Sequence, residues 1–200
     1  MTDHHPSSAH HPNRFMSPPA IHYRTATSSE DAAVIQIHQD AFGREGGAEI
    51  GALLAAMLKD PSAKPLLSLV AQCDTDLIGH VLFTHARLSP ASDASAVILA
   101  PLAVLPEQQK QGIGSALIDA GFERLKQQKI DLVFVLGYPD YYTRFGFQPA
   151  GRCELHAPYP IEAKNAEAWM VHELTPGAIA ACQGTVHCCD ALDKPEYWRE

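Results

Sequence analysis

Val97 to Leu117 reads VILAPLAVLPEQQKQGIGSAL, and this stretch decides how the rest of the chain is read. An apolar run rich in strand formers comes first, then a polar turn opening at Pro106, then the pair Gly112 and Gly114. Behind the glycines, Ile113, Leu117, Ile118, Phe122 and Leu125 recur at helical spacing. Strand, glycine loop, helix start is an order that builds an anion site. The first N–H groups of a helix have no intrahelical partner, and the helix dipole adds partial positive charge there. Glycines let backbone approach a bulky anion without a Cβ in the way. A phosphate or pyrophosphate is the natural guest.

The segment Gln109-Lys110-Gln111-Gly112-Ile113-Gly114 is not a Walker A loop, which needs a longer glycine spacing followed by Lys-Ser/Thr. It is not the dinucleotide pattern either, because no third glycine follows the G-x-G pair. Downstream, Ile130 to Leu136 is a nearly unbroken apolar run, as in a strand buried on both faces. Strand, crossover helix and strand make a parallel connection. Residues 137–147 then read GYPDYYTRFGF, and Phe147 opens a further short strand with Gln148-Pro149.

The loop resembles the Q/R-x-x-G-x-G/A motif of the GNAT superfamily of N-acetyltransferases, with Gln109, Gly112 and Gly114 at its fixed positions. The second block resembles the family's Y-x-x-x-G-F, with Tyr142 four residues before Gly146. The wording A-P-L-A-V-x-P and Y-Y-x-R-F-G-F is similar to the YhbS-type subfamily, over about residues 21 to 190. The resemblance implies an α/β (α+β) GNAT fold: a mixed, mostly antiparallel sheet of about six to seven strands, helices on both faces, and a splayed central strand pair.

That resemblance also implies a site. Acetyl-CoA is the expected cosubstrate, its pyrophosphate held by Gln109, Lys110, Gln111, Gly112, Ile113, Gly114 and Ser115. Its pantetheine arm would meet backbone groups of Leu102, Ala103 and Val104, much as an added strand would. Tyr142 takes the place of the family's general acid, and Tyr141 is the adjacent rival. The enzyme would be an acyltransferase moving an acetyl group to a primary amine on a small molecule or peptide. A catalytically silent acyl-CoA sensor and an interaction module stay open as alternatives on the same fold.

The rest of the chain is read outward from this frame. Pro101 cannot donate a ladder hydrogen bond, so the central strand Ala96 to Val104 should bulge at Ala100-Pro101. Ile21 to Arg24 starts a first strand, and Ser28-Ser29-Glu30-Asp31 caps a helix carrying Ala33, Ile37 and Phe42. Gly43 and Gly46-Gly47 should break that helix, with a second helix from about Ala48 to Leu58. Leu66 to Cys73 and Leu77 to Leu88 form an antiparallel hairpin around Asp74-Thr75-Asp76, with Gly79 marking a bulge or close approach. Trp169 to Leu174 is a last long strand, followed by a Gly184-Thr185-Val186 segment.

The family's acceptor-binding segment lies between the first two helices, so Glu45 and Glu49 are candidates to meet an ammonium group. No carboxylate stands on the central strand, and the general base is left among His80, His85, Glu45, Asp93 and a water chain.

Composition limits the classes. Two hundred residues, 46% hydrophobic, suit one folded domain over 20–200. Residues 1–19, rich in proline, serine and histidine, are expected to be a disordered arm. A net charge of −8 speaks against nucleic-acid binding and suits a cationic amine. No apolar run is long enough for a membrane span, and no secretory leader is read, so a cytoplasmic protein is expected. Five cysteines without a C-x-x-C pair are read as reduced thiols, and Cys188-Cys189 lacks metal-ligand spacing, so no metal is expected. A homodimer is admitted.

Overall fold

The computed structural model describes residues 20–198, and the expected N-terminal arm lies outside them. Strands β1 (Ile21–Thr25), β2 (Leu67–Cys73) and β3 (Asp76–Ser89) run antiparallel in succession. β4 (Ala96–Val104) continues this meander, and β5 (Leu132–Leu136) lies parallel to β4 after a helical crossover. The short strands β6 (Gln148–Pro149) and β7 (Leu155–His156) precede β8 (Trp169–Glu173) and β9 (Gly184–His187). The main path is β1-β2-β3-β4-β5-β8-β6, seven strands as expected; β7 and β9 form a side branch on the far end of β3.

Helices cover both faces. On one face, α1 (Asp31–Lys59) sends Val34, Leu53, Leu54 and Met57 onto Val70, Leu82, Ile98 and Phe134, and the C-terminal turn adds Leu192 and Trp198. On the other, α2 (Ile113–Gln127) packs Ile113, Leu117, Ile118 and Leu125 against Val81, Phe83, Leu99 and Val133. Truncating a fully buried side chain such as Leu54 in a core of this kind costs about 2–5 kcal/mol.

The cap lies one residue before the serine pair, on the short 3-10 turn Ser28–Glu30 that leads into α1. Thr27 and Glu30 form a reciprocal capping box, and Glu30 also holds Arg24 at 2.6 Å, which keeps its carboxyl down at about 2. The expected break falls at Gly43, where two helical arms of α1 meet at a kink, while Gly46 and Gly47 lie inside the second arm. Only Gly43 leaves helical geometry (φ 67, ψ −159), and the helix resumes at once past this single-residue kink. Gly47 and Gly51 are packing glycines: a Cβ would lie 2.3 Å from the Gln39 carbonyl oxygen at Gly47, and 2.7 Å from the Gln39 side chain at Gly51.

Two bulges aim the middle of the sheet. Val81 pairs with Leu102 and Phe83 with Leu99, so Ala100 and Pro101 oppose a single residue of β3, where proline was expected to force a bulge. Ala71 pairs with Gly79 and Gln72 with Leu77, leaving Ile78 as the extra residue beside the glycine. Gly79 is also a close approach, its missing Cβ leaving 3.2 Å to the Ala103 carbonyl oxygen.

The β4–β5 pair is what positions the site. It is pinned at its beginning, where Ser95 N–H donates to Asp131 Oδ2 (2.9 Å) and Leu132 N–H to the Ser95 carbonyl (3.0 Å). The Ser95 N–H bond, first among the causes, draws the Asp131 carboxyl below its ordinary range. Pairing runs through Ala96↔Leu132, Val97↔Val133 and Ile98↔Phe134 and then stops. Past that point β4 stays with β3 as far as Val104, and β5 stays with β8 as far as Leu136. The two strands diverge.

Candidate active site

Two recesses meet at the divergence. The first is a cavity of about 330 Å³ between the parted strands, bounded by Leu99 to Leu102 of β4, by Leu136 at the end of β5, and by Gly137 and Tyr138 after it. The second is a groove of about 680 Å³ over the glycine loop, bounded by Val104, Gln109, Lys110 and the first residues of α2. Tyr141 belongs to both linings and joins them.

The groove is built as the loop chemistry requires. Gly112 is the N-cap of α2 in the left-handed region (φ 83), where an L side chain would be strained, and no side chain caps the helix. The first intrahelical bond runs from Ala116 N–H to the Gly112 carbonyl, so the amides of Ile113, Gly114 and Ser115 precede it at the open helix start. Lys110 is itself left-handed (φ 63), which folds the loop backbone tightly over the helix start. Gln109 Nε2 donates to the Val104 carbonyl (3.0 Å) and ties the loop to the end of β4.

Positive charge at the groove comes from Lys110 and from Arg144, whose guanidinium lies 4.2 Å from the centre of the Tyr141 ring. Arg144 is a lining residue that the sequence reading passed over, although it stands two places after Tyr142 in the quoted block. Gln111 lines neither recess and reaches back toward the Glu107 carbonyl at 3.4 Å. Ala103 is buried and lines neither as well; Leu102 faces the cavity and Val104 the groove.

The tyrosine pair sits on α3 (Pro139–Tyr142), just past β5. Tyr142 is buried, lines the cavity, and packs edge-on against Phe147 (5.6 Å) and Tyr141 (5.0 Å). Gly137 makes room for it: a Cβ there would lie 2.5 Å from Tyr142 Cε2. Tyr141 Oη reaches over the helix start, 2.8 Å from where a Gly114 Cβ would stand. Both glycines are therefore steric requirements of the tyrosine pair.

The candidates for a general base fall away from this place. His80 is fully buried, its Nδ1 2.8 Å from His38 Nε2 and its Nε2 2.9 Å from Ser68 Oγ. Burial holds His80 well below its ordinary range and His38 down at about 3, so both are neutral members of the core. His85 lines a separate recess with Arg87 and His187 on the side branch. Glu45, Glu49 and Asp93 are exposed and border neither recess described above. Phe42 at the kink and Tyr197 and Trp198 at the C-terminus line the cavity instead, and only the unusual aromatic pair in a polar tail hinted at the latter.

Among the described residues no group of three His, Cys, Asp or Glu side chains is placed to hold a metal ion, and no helix is long and apolar enough to cross a membrane. Cys73, Cys153, Cys182, Cys188 and Cys189 are free, and burial first among its causes pushes the Cys188 thiol up to about 12.

A parallel pair that parts over an apolar cavity, with an open helix start beside it, is the arrangement that the resemblance to acetyl-CoA-dependent transferases implies. Residues 22–150 match the model of the acetyltransferase (GNAT) domain. The chain is 40% identical over 175 residues to the uncharacterized N-acetyltransferase YjhQ of Escherichia coli K12, spanning 85% of this chain and 94% of that one. It is 33% identical over 121 residues to YhbS of the same organism, 60% of this chain and 70% of that one. The crystal structure of Escherichia coli YhbS in complex with CoA superimposes with a TM-score of 0.78 at 25% identity, over 92% of this chain and 97% of that one. A GNAT acetyltransferase from Brucella melitensis in complex with acetyl-CoA gives 0.68 at 26% identity, over 87% and 99%. The chain belongs to the GNAT acetyltransferase family.

Proposed function

We propose that residues 20–200 form a single domain that transfers the acetyl group of acetyl-CoA to a primary amine by direct attack, with Tyr142 as general acid. The observation that carries this reading is the junction of the two recesses at Tyr141: an anion groove on one side and an apolar cavity on the other. The diphosphate of the cosubstrate would lie on the amides of Ile113, Gly114 and Ser115, flanked by Lys110 and Arg144. The residues fit such a group, since the helix start is uncapped and two cations face it. From there the arm of the cosubstrate would run along the unpaired edge of β4 beyond Ile98, beside Leu102 and Val104, and bring the thioester into the cavity.

In the chemical step the amine nitrogen bonds to the carbonyl carbon while the carbon–sulfur bond breaks. One N–H proton leaves the nitrogen to water, and one proton arrives on the departing sulfur. Tyr142 supports the second transfer because its ring is fixed at the cavity wall by Gly137 and Phe147. Tyr141 is engaged over the glycine loop and is assigned to orienting the cosubstrate. The Tyr142→Phe variant tests the assignment. It is expected to lower kcat by about 10²-fold or more, within the range that positioned acids supply, with an unchanged acetyl-CoA Kd. An unaltered kcat would remove Tyr142 from the chemistry.

A further inference from the structure

The cavity is continuous from one face of the sheet to the other. Leu99 and Tyr142 belong to the core under α2, the face that carries the glycine loop. Leu53, Leu192 and Trp198 belong to the opposite core, under α1 and the C-terminal turn, and they wall the same cavity. Because the anion groove lies at the start of α2, a cosubstrate seated there comes from the α2 side, and the α1 side is left for the second substrate.

That α1 side is apolar. Among the described residues lining the cavity none is charged, and the polar atoms at its walls are tyrosine and tryptophan side-chain groups and backbone. Both of the large apolar side chains that stand exposed among the described residues, Phe42 (46%) and Tyr138 (79%), line this one cavity. Exposed aromatics gathered at one opening mark a recognition surface. The net charge of −8 favours a cationic acceptor at long range, but a polyamine or basic side chain would bring a second ammonium into a cavity where no described lining residue supplies a carboxylate to receive it.

We infer that the acceptor is an apolar primary amine, an arylalkyl amine by class, whose hydrocarbon part occupies the space between Phe42, Ile50, Leu53 and Trp198. The inference rests on the transferase reading above. It also accounts for the missing base. Desolvation disfavours the ammonium form and lowers the pKa of the bound amine, so the nitrogen loses its proton to water on entering the cavity and attacks the thioester as the neutral amine.

The test is a steady-state comparison of phenethylamine and tryptamine with spermidine and cadaverine, reading release of the CoA thiol and the mass of the N-acetyl product. The arylalkyl amines are expected to exceed the diamines and polyamines at least tenfold in kcat/KM. Phe42→Asp places a carboxylate at an exposed position of the wall, where folding is undisturbed. It should lower kcat/KM for phenethylamine about tenfold and raise it for spermidine, with the acetyl-CoA Kd unchanged. A wild-type preference for spermidine, or no acetylation of any arylalkyl amine while acetyl-CoA binds, would overturn the inference and leave the cosubstrate assignment standing. Faster turnover of octanoyl-CoA than of acetyl-CoA would assign the apolar space to the acyl chain and overturn it too. Failure of acetyl-CoA to bind would remove the transferase reading itself, and the inference with it.

Discussion

The two ends of the β4–β5 pair are made of the same strands and do opposite things. At the closed end, Ser95 and Asp131 exchange side-chain and backbone hydrogen bonds, and three residue pairs lie in parallel register. At the open end β4 bulges at Ala100 and Pro101 and stays with β3, and aromatic side chains line the cavity in the angle. A bulge on one strand keeps the outer ladders intact while the inner one parts, so the sheet gains a cavity without losing its core. The site is therefore a local failure of pairing held open by ordinary pairing on either side.

Breaking the open end should cost the most, through the loss of about two orders of magnitude in kcat expected above for Tyr142→Phe. The closed end is broken by Asp131→Ala, which leaves Ser95 N–H and Oγ without their carboxylate partner. That change is expected to lower unfolding free energy by about 1–3 kcal/mol, read as a lower urea midpoint. An unchanged midpoint would mean that the Asp131 bonds do not hold the pair shut.

A further effect, spread over a pH range and tied to no single variant, concerns the buried pair beside the junction. His38 and His80 are neutral in the folded chain, His38 at about 3, and half-buried His172 is also held below its ordinary range, chiefly by burial. Unfolded histidines titrate near 6.5, so below that pH the unfolded state binds more protons and stability falls. The contribution of His38 is complete above about 6.5 and is lost toward pH 3, and His80 and His172 act in the same direction. Between pH 6.5 and 5 the slope should be up to about 1.4 kcal/mol per pH unit for each such histidine. Glu30, drawn down to about 2, contributes in full above the ordinary carboxylate range and loses its contribution only below it, which leaves this window clear. Urea midpoints that stay flat from pH 7 to 5 would contradict the neutral core assignment.

Much of the fold could be read from local rules. Pro101 marked the bulge because a missing N–H cannot be hidden in a central ladder, and Gly112 and Gly114 marked the helix start because only backbone was needed there. Gly43 marked the kink in α1, but the Gly46-Gly47 pair misled, since a missing Cβ serves tight packing as readily as it serves a break: Gly47 lies against Gln39, and the helix runs through it. His80 looked like a base by its intrinsic pKa, but only tertiary structure places it between His38 and Ser68. The walls supplied by Phe42, Tyr197 and Trp198 come from segments far apart in sequence, and no spacing rule joins them.

The central claim is that the uncapped start of α2 receives a CoA diphosphate while the parted strands receive its arm. Calorimetric titration of the full chain with acetyl-CoA, CoA and NADH, repeated on Gly112→Val, tests it most directly. Acetyl-CoA and CoA should bind to wild type with micromolar affinity and NADH should not. The valine, a β-branched residue forced to φ 83, should weaken acetyl-CoA at least tenfold. Equal affinity of wild type and variant, or binding of NADH in place of acetyl-CoA, would contradict the assignment of the loop.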